Sequence, residues 1–409
     1  VNFGKQGAMK TPILPEVLAP AGSLDKLKVA VLYGANAVYV GGQKFGLRTA
    51  ADNFTLDELK EGMDFAHKRQ AKVYVVLNSF LHDKDLLDLP EFVQFLEEIN
   101  TDAVIVSDLG VVQTVKEISS LPIHVSTQAS TLNIHSAKLW KKAGASRIVL
   151  GREVSVKEAG KIKREAQIEI EMFIHGSMCM AYSGHCVISN FTQGRDSNRG
   201  GCAHSCRFEY SLKGLDSQEK IKAYFMSSKD LEGLRALPQF IEEEIDSIKI
   251  EGRMKSHLYA GTMSKIYSES LKFFREHGHF FSDDLLHWED ELKKVSHRGY
   301  TPGSLSQKAG ADSIFNEREN SSDGDWQMVG TVVEARLQTG IVLEVRNAFN
   351  QGDELEIIPF HGAAIKIKAI EIMDLCLRPI QRTKPSTLVR LPYQAGVERM
   401  NLIRQRIRA

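Results

Sequence analysis

Eight short β-rich runs separated by helical patterns fill the first 260 residues, and no other feature of the chain constrains its fold as strongly. They are EVLAPAG (16–22), NAVYVGG (36–42), KVYVVLN (72–78), DAVIVSD (102–108), IHVSTQ (123–128), RIVLGRE (147–153), IEIEMFIHG (168–176) and SIKIEGR (247–253). Several follow the same turn-like lead, as in GANAVYVGG and GASRIVLGR, and run apolar without alternation, as parallel strands buried on both faces do. Between them lie segments such as TLDELKEGMDFAHKR (55–69), where Leu56, Leu59, Met63 and Ala66 mark one helix face and Thr55 with Glu58 fits a capping box. Eight βα units predict a TIM-type (β/α)8-like barrel over residues 9–315, with a doubly wound open sheet as the alternative.

Beyond residue 300 the pattern changes. NERENSSDGDW (316–326) reads as a polar linker, and MVGTVVEA, GIVLEVRN, DELEIIPF and AAIKIKAIEI follow as short alternating strands. A small C-terminal antiparallel β-barrel is predicted over 327–409. From residue 376 onward eight arginines and lysines face the single acid Glu398. Over the whole chain Lys plus Arg equals Asp plus Glu at 52 each. The local excess makes Arg399, Arg404 and Arg406 candidate RNA-phosphate ligands, a solvated basic tail being the alternative. No apolar run approaches the roughly 20 residues that span a bilayer, and a cytoplasmic location is the expectation. Nothing in the sequence fixes an oligomeric state.

A barrel places its working groups where strands end at the C-terminal face. Those ends carry Asn78, Gln128, Arg152, Glu153, His175, Glu251 and Arg253, and of these His175 and Glu251 are candidate acid–base residues. Four of the five cysteines, Cys179, Cys186, Cys202 and Cys206, fall in a glycine-rich insertion directly after the seventh strand, at 175–206. In a reducing compartment such a cluster binds metal or does chemistry. Its C-x6-C-x15-C-x3-C spacing lacks the close pairs of zinc ribbons and the C-x-x-C of redox dithiols; iron–sulfur, zinc and plain packing all stay open on spacing alone. Cys376, in MDLCLRP, reads as a small buried hydrophobe.

The stretch EMFIHGSMCMAYSGHCVIS closely resembles the signature of the collagenase-like, unassigned peptidase family 32. LAPAGSLDKLKVAVLYGANAVYVGG, FGLRTAADNFTLDELKEG, SSKDLEGLRALPQFIEEEIDSIKIEGRMKS and SHRGYTPG extend the likeness along most of the chain. With its small C-terminal domain the chain is most like the members implicated in tRNA hydroxylation. The resemblance implies formation of 5-hydroxyuridine at the tRNA wobble position, without dioxygen and with prephenate as oxygen source. It also implies a [4Fe-4S] cluster on Cys179, Cys186, Cys202 and Cys206. Prephenate brings two carboxylates, for which Arg48, Arg152, Arg253 and Arg298 are candidate ligands; rim salt bridges are the plainer role. A collagenase-like peptidase is the alternative, although thiolates committed to iron leave no nucleophile, and neither H-E-x-x-H nor G-x-S-x-G occurs. A noncatalytic RNA-binding or cofactor-delivery module is the third possibility.

Overall fold

The apolar runs become strands because Val, Ile and Leu on both faces can be buried only where helices cover one side and a barrel interior the other. The computed structural model describes residues 13–47, 52–214, 220–315 and 325–407. Strands β1 (Glu16–Pro20), β2 (Ala37–Val40), β3 (Lys72–Leu77), β4 (Ala103–Val106), β5 (Ile123–Val125), β6 (Arg147–Val149) and β7 (Glu169–Ser177) each pair in parallel with the next. A hairpin of β8 (Tyr210–Lys213) and β9 (Lys220–Ala223) and the short β10 (Asp230–Glu232) come before β11 (Ser247–Ile250). Strand β11 pairs in parallel with both β7 and β1, which closes an eight-stranded barrel and excludes the open sheet. Strand β10 adds antiparallel to the end of β7 and takes β12 (Tyr300–Thr301) beside it.

Local chemistry sets the helix starts. The helix Leu56–His67 begins at a complete Thr55–Glu58 capping box and buries Leu59, Met63 and Ala66, while Leu56 on its first turn stays exposed. Ser155 with Glu158 makes a second such box for the helix Val156–Ala166.

The C-terminal region is a six-stranded antiparallel sheet of β13 (Trp326–Arg336), β14 (Gly340–Val345), β15 (Glu354–Ile358), β16 (Ile365–Lys368), β17 (Leu388–Leu391) and β18 (Leu402–Arg406), in the order β16-β15-β18-β13-β14-β17. Its outer strands β16 and β17 are not paired with each other, so the small antiparallel barrel expected takes the form of a half-barrel sheet. Strands β17 and β18 lie inside the stretch read as a basic strip. The sheet docks on the barrel helices through the buried Tyr33, whose hydroxyl donates to the Ile358 carbonyl at 2.6 Å and accepts from the Leu402 amide at 2.9 Å. Most of the linker 316–326 lies outside the described residues. Cys376 is exposed, not buried, because its loop turns on the Asp374 carboxylate, which accepts from the Cys376 and Arg378 amides at the sheet surface. Among the described residues no helix is long and apolar enough to cross a membrane.

Candidate active site

The barrel interior is charged at its floor, the N-terminal end of the strands. Arg147 reaches Glu16 at 2.7 Å, Glu169 at 2.9 Å and Glu171 at 3.4 Å, and Lys249 meets the other Glu171 oxygen at 2.7 Å. Tyr74 donates to Glu16 at 2.8 Å. Burial, reinforced by Arg147, Lys249 and Lys72, holds His124 neutral, well below its usual range. Arg147 and Lys249, the buried cations of this floor, each have a carboxylate partner.

At the opposite end the strands open into a cavity of about 390 Å³. Asn78 after β3, Ser126 to Gln128 after β5, Arg152 after β6, Ser177 to Met180 after β7 and Glu251 to Lys255 after β11 line it, under a roof made by the cysteine insertion. Glu251 accepts from the Tyr39 hydroxyl at 3.2 Å and lies 4.0 Å from Arg152, whose guanidinium stacks on Phe173 at 3.8 Å. Arg253 is 3% exposed and donates to Asn53 at 3.2 Å. A Cβ on Gly41 would come within 2.4 Å of an Arg253 nitrogen, so the bare glycine leaves room for the guanidinium. The structure thus brings Arg152, Glu251 and Arg253 together, as their strand-end positions predict. Arg48 lies outside the described residues.

Two sequence candidates sit elsewhere. His175 is fully buried, its Nδ1 3.0 Å from the Tyr267 hydroxyl and its ring packed among Tyr259, Tyr267 and Tyr300. Burial brings it down to about 3, Asp230 opposing and Lys255 assisting. The cause is a β-bulge: Lys249 pairs with Phe173 but the next residue, Ile250, pairs with His175. The skipped Ile174 reverses the alternation and turns His175 to the outer face. Gly176 follows at φ +106, where a Cβ would strike the Glu251 carbonyl at 2.3 Å. Arg298 is bound to the buried Asp230 at 2.9 Å and does not line the cavity.

The pattern of strand ends missed Arg207 and Lys255, which do line it. Lys255 lies 3.5 Å from Asp230, whose carboxyl burial would raise but Lys255 and Arg298 hold low. Arg207 makes no ion pair among the described residues, and its guanidinium is lowered by burial and by nearby Arg298. Its adjacency to Cys206 was the available signal. Arg152, Arg207, Arg253 and Lys255 line this cavity with one carboxylate, Glu251, among the described lining residues, and Lys249, held by Glu171, reaches it from the floor.

All four clustered cysteines line the same cavity. Burial pushes the Cys206 thiol up, Arg207 pulls it back, and Cys179, Cys202 and Cys186 are close enough to push it up further. Among the described residues no three His, Cys, Asp or Glu side chains converge closely enough to hold one ion. Four soft donors spread round one cavity fit a multi-metal cluster better than a lone zinc. Short-range hydrogen bonds set the loops. Asn198 donates to the Cys186 carbonyl at 3.1 Å, Thr192 to Ser205 at 2.6 Å, the Ala203 amide to Ser189 at 3.1 Å and Tyr210 to the Ser205 carbonyl at 2.8 Å.

The basic strip does not act as one surface. Arg404 is fully buried on β18 and grips Glu291 and Glu356, each at 2.7 Å, beneath Trp326, because alternation along the strand aims it at the barrel helix Ser282–Lys293. It locks the sheet to the barrel and cannot reach RNA. Arg406 is exposed and 3.1 Å from Asp325. Arg399 is exposed and lines a separate cleft of about 300 Å³ with His257 and Arg346.

A family model described as peptidase family U32 matches residues 22–314, and a second, described as the peptidase family U32 C-terminal domain, matches residues 324–404. The chain is 41% identical over 362 residues to tRNA hydroxylation protein P1 of Bacillus subtilis, covering 86% of this chain and 84% of that protein. It is 37% identical over 341 residues to tRNA hydroxylation protein P of Helicobacter pylori, covering 78% of each. To a 23S rRNA 5-hydroxycytidine synthase of Escherichia coli it is 34% identical over 316 residues, 74% of this chain and 47% of that protein.

Proposed function

The chain belongs to peptidase family U32, and we propose that it is a tRNA-modifying hydroxylase that forms 5-hydroxyuridine at the wobble position, without dioxygen and with prephenate as oxygen source. The observation that carries this reading is the cavity at the barrel mouth, where four cysteines roof a pocket rich in cations. Relatives named for tRNA hydroxylation support the substrate class.

Converting a C–H to a C–OH removes an electron pair from the base, so the oxygen donor must accept that pair. Prephenate is a dicarboxylate, and Arg253, Arg207 and Lys255 supply charge-assisted donors for it, Arg253 and Arg207 with the planar fork that matches a carboxylate. Arg152, fixed between Phe173 and Glu251, orients the other wall. Glu251, held by Tyr39, is the ionisable group placed to take or give a proton at the mouth. Cys179, Cys186, Cys202 and Cys206 would hold a [4Fe-4S] cluster, which supplies electron-transfer or Lewis-acid chemistry when bound.

The test is direct. Anaerobically purified protein is mixed with unmodified tRNA, with and without prephenate, and nucleosides are analysed by mass spectrometry, with gelatin cleavage run in parallel. Prephenate-dependent 5-hydroxyuridine is the expected result; gelatin cleavage with unmodified tRNA overturns the reading in favour of the peptidase.

A further inference from the structure

The cysteine insertion turns two different faces to its surroundings. Its inner face carries the cysteines, Ser189 and Arg207 into the cavity. Its outer face carries rings: Phe191 is 89% exposed, Tyr182 60% and Phe208 40%. Single exposed apolar residues are ordinary, but each of these rings lies one or two residues from a residue lining the cavity, Tyr182 from Gly184, Phe191 from Ser189 and Phe208 from Arg207, and exposed aromatic groups set beside a cationic cavity suit a binding surface. The backbone that carries them is held in place. Phe191 lies on the short helix Ile188–Gln193, which is tied to the Ser205–Arg207 turn by the Thr192–Ser205 and Ser189–Ser205 hydroxyl contacts, and Phe208 follows that turn directly. Tyr182 opens the 3-10 turn whose Ser183 amide donates to Glu153 at 3.0 Å.

Flat rings on a fixed frame beside buried cations suit a polyanion whose bases are unpaired. Each base has a π-face that an aromatic side chain can cover, and a duplex hides those faces. The exposed Lys220 and Lys222 on the hairpin that follows the insertion add positive charge. A target base can reach the 390 Å³ cavity only after leaving its stack, since the strand ends lie beneath the cysteine roof.

We propose that the outer face of the cysteine insertion is a base-stacking rim, on which nucleotides flanking the target stack against Phe191, Tyr182 and Phe208 while the target base turns out into the barrel mouth. This rests on the hydroxylase reading and adds the state of RNA that the site accepts: a single-stranded loop.

The test uses full-length, anaerobically purified protein and two probes, a short stem-loop RNA with one loop uridine and a fully paired RNA of the same composition. Phe191→Ala and Tyr182→Ala should each weaken stem-loop binding by about 5- to 150-fold, the usual contribution of one stacked base. The slope of affinity against salt should not change, because every phosphate keeps its cation. Duplex binding and iron content should also be unaltered, and Phe191→Trp should keep stem-loop affinity. Wild-type stem-loop affinity in the alanine variants, an equal loss toward the duplex, or a wild type that does not bind the stem-loop overturns the proposal; in the first case the rings do not touch RNA, and in the second they contact it without regard to pairing. If the hydroxylase reading alone is wrong, the wild type leaves the loop uridine unmodified while the ring dependence of binding persists.

Discussion

The floor and the mouth of this barrel are both built from charged side chains, and they use them in opposite ways. At the floor Arg147 and Lys249 are matched by Glu16, Glu169 and Glu171, at 2.7 to 3.4 Å. At the mouth Arg152 lies 4.0 Å from Glu251 and Lys255 3.5 Å from Asp230, and Arg207 lines the cavity with no ion pair among the described residues. Burying a charge is costly unless it is paired, so the matched floor holds structure together, whereas Arg207, partly buried at the mouth with no ion pair among the described residues, stores affinity for an anion yet to arrive. The same test separates Arg404, buried against two carboxylates, from Arg207, which has no ion-pair partner among the described residues.

The largest expected effect comes from unbalancing the floor. Glu171→Ala leaves Lys249 without its 2.7 Å partner in the barrel interior and should cost about 3–5 kcal/mol of stability, read as a lower urea midpoint. A midpoint within error of the wild type would remove the distinction between the two ends. Arg404→Ala belongs to the same class with a smaller cost, since Lys294 still lies 2.8 Å from Glu291 and 3.9 Å from Glu356.

At the mouth, Cys179→Ser or Cys202→Ser should strip most of about four irons bound by the anaerobic protein while the barrel stays folded by circular dichroism. Cys376→Ser, on the far sheet surface, should leave iron content unchanged.

Arg253→Lys keeps the charge and loses the fork. A cost of about 1–3 kcal/mol per charge-assisted hydrogen bond should appear in 5-hydroxyuridine formation, with normal iron content and tRNA affinity and partial rescue by excess prephenate. Activity that falls only together with iron content would make Arg253 a floor-type, structural arginine.

Acid should sharpen the contrast from the side of stability. His175 stays neutral when folded, brought down to about 3 from an ordinary 6.5, and His124 is lowered too, in both cases chiefly by burial. The unfolded chain takes up these protons first. Stability is therefore full above about pH 6.5 and is lost as pH falls toward the folded values, by up to about 1.4 kcal/mol per pH unit for each histidine. His175→Phe should flatten the fall in urea midpoint between pH 7 and 5, and an unchanged slope would show that His175 does not govern it.

The smallest effect is expected from the basic strip. Replacing the exposed Arg399 and Arg406 by alanine should reduce the salt slope of tRNA binding by about one for each phosphate that is no longer neutralised, and an unaltered slope would leave them as solvated side chains.

What the sequence determined by itself is what neighbours along the chain decide. The eight barrel strands and the Thr55–Glu58 cap follow from runs, spacings and turn residues within a few positions of one another. The convergence of Arg152, Glu251 and Arg253 was also legible, because a parallel barrel gathers its strand ends whatever their separation. Tertiary structure decided which way a side chain faces and what it meets there. The bulge opposite Lys249 turned His175 outward; Asp230 claimed Arg298; Glu291 and Glu356 drew Arg404 out of the basic strip; and Arg207 reached the mouth through the fold of the cysteine loops. None of these is local, since each depends on a register or a partner tens to hundreds of residues away, and an arginine codes for charge without naming the carboxylate that will neutralise it.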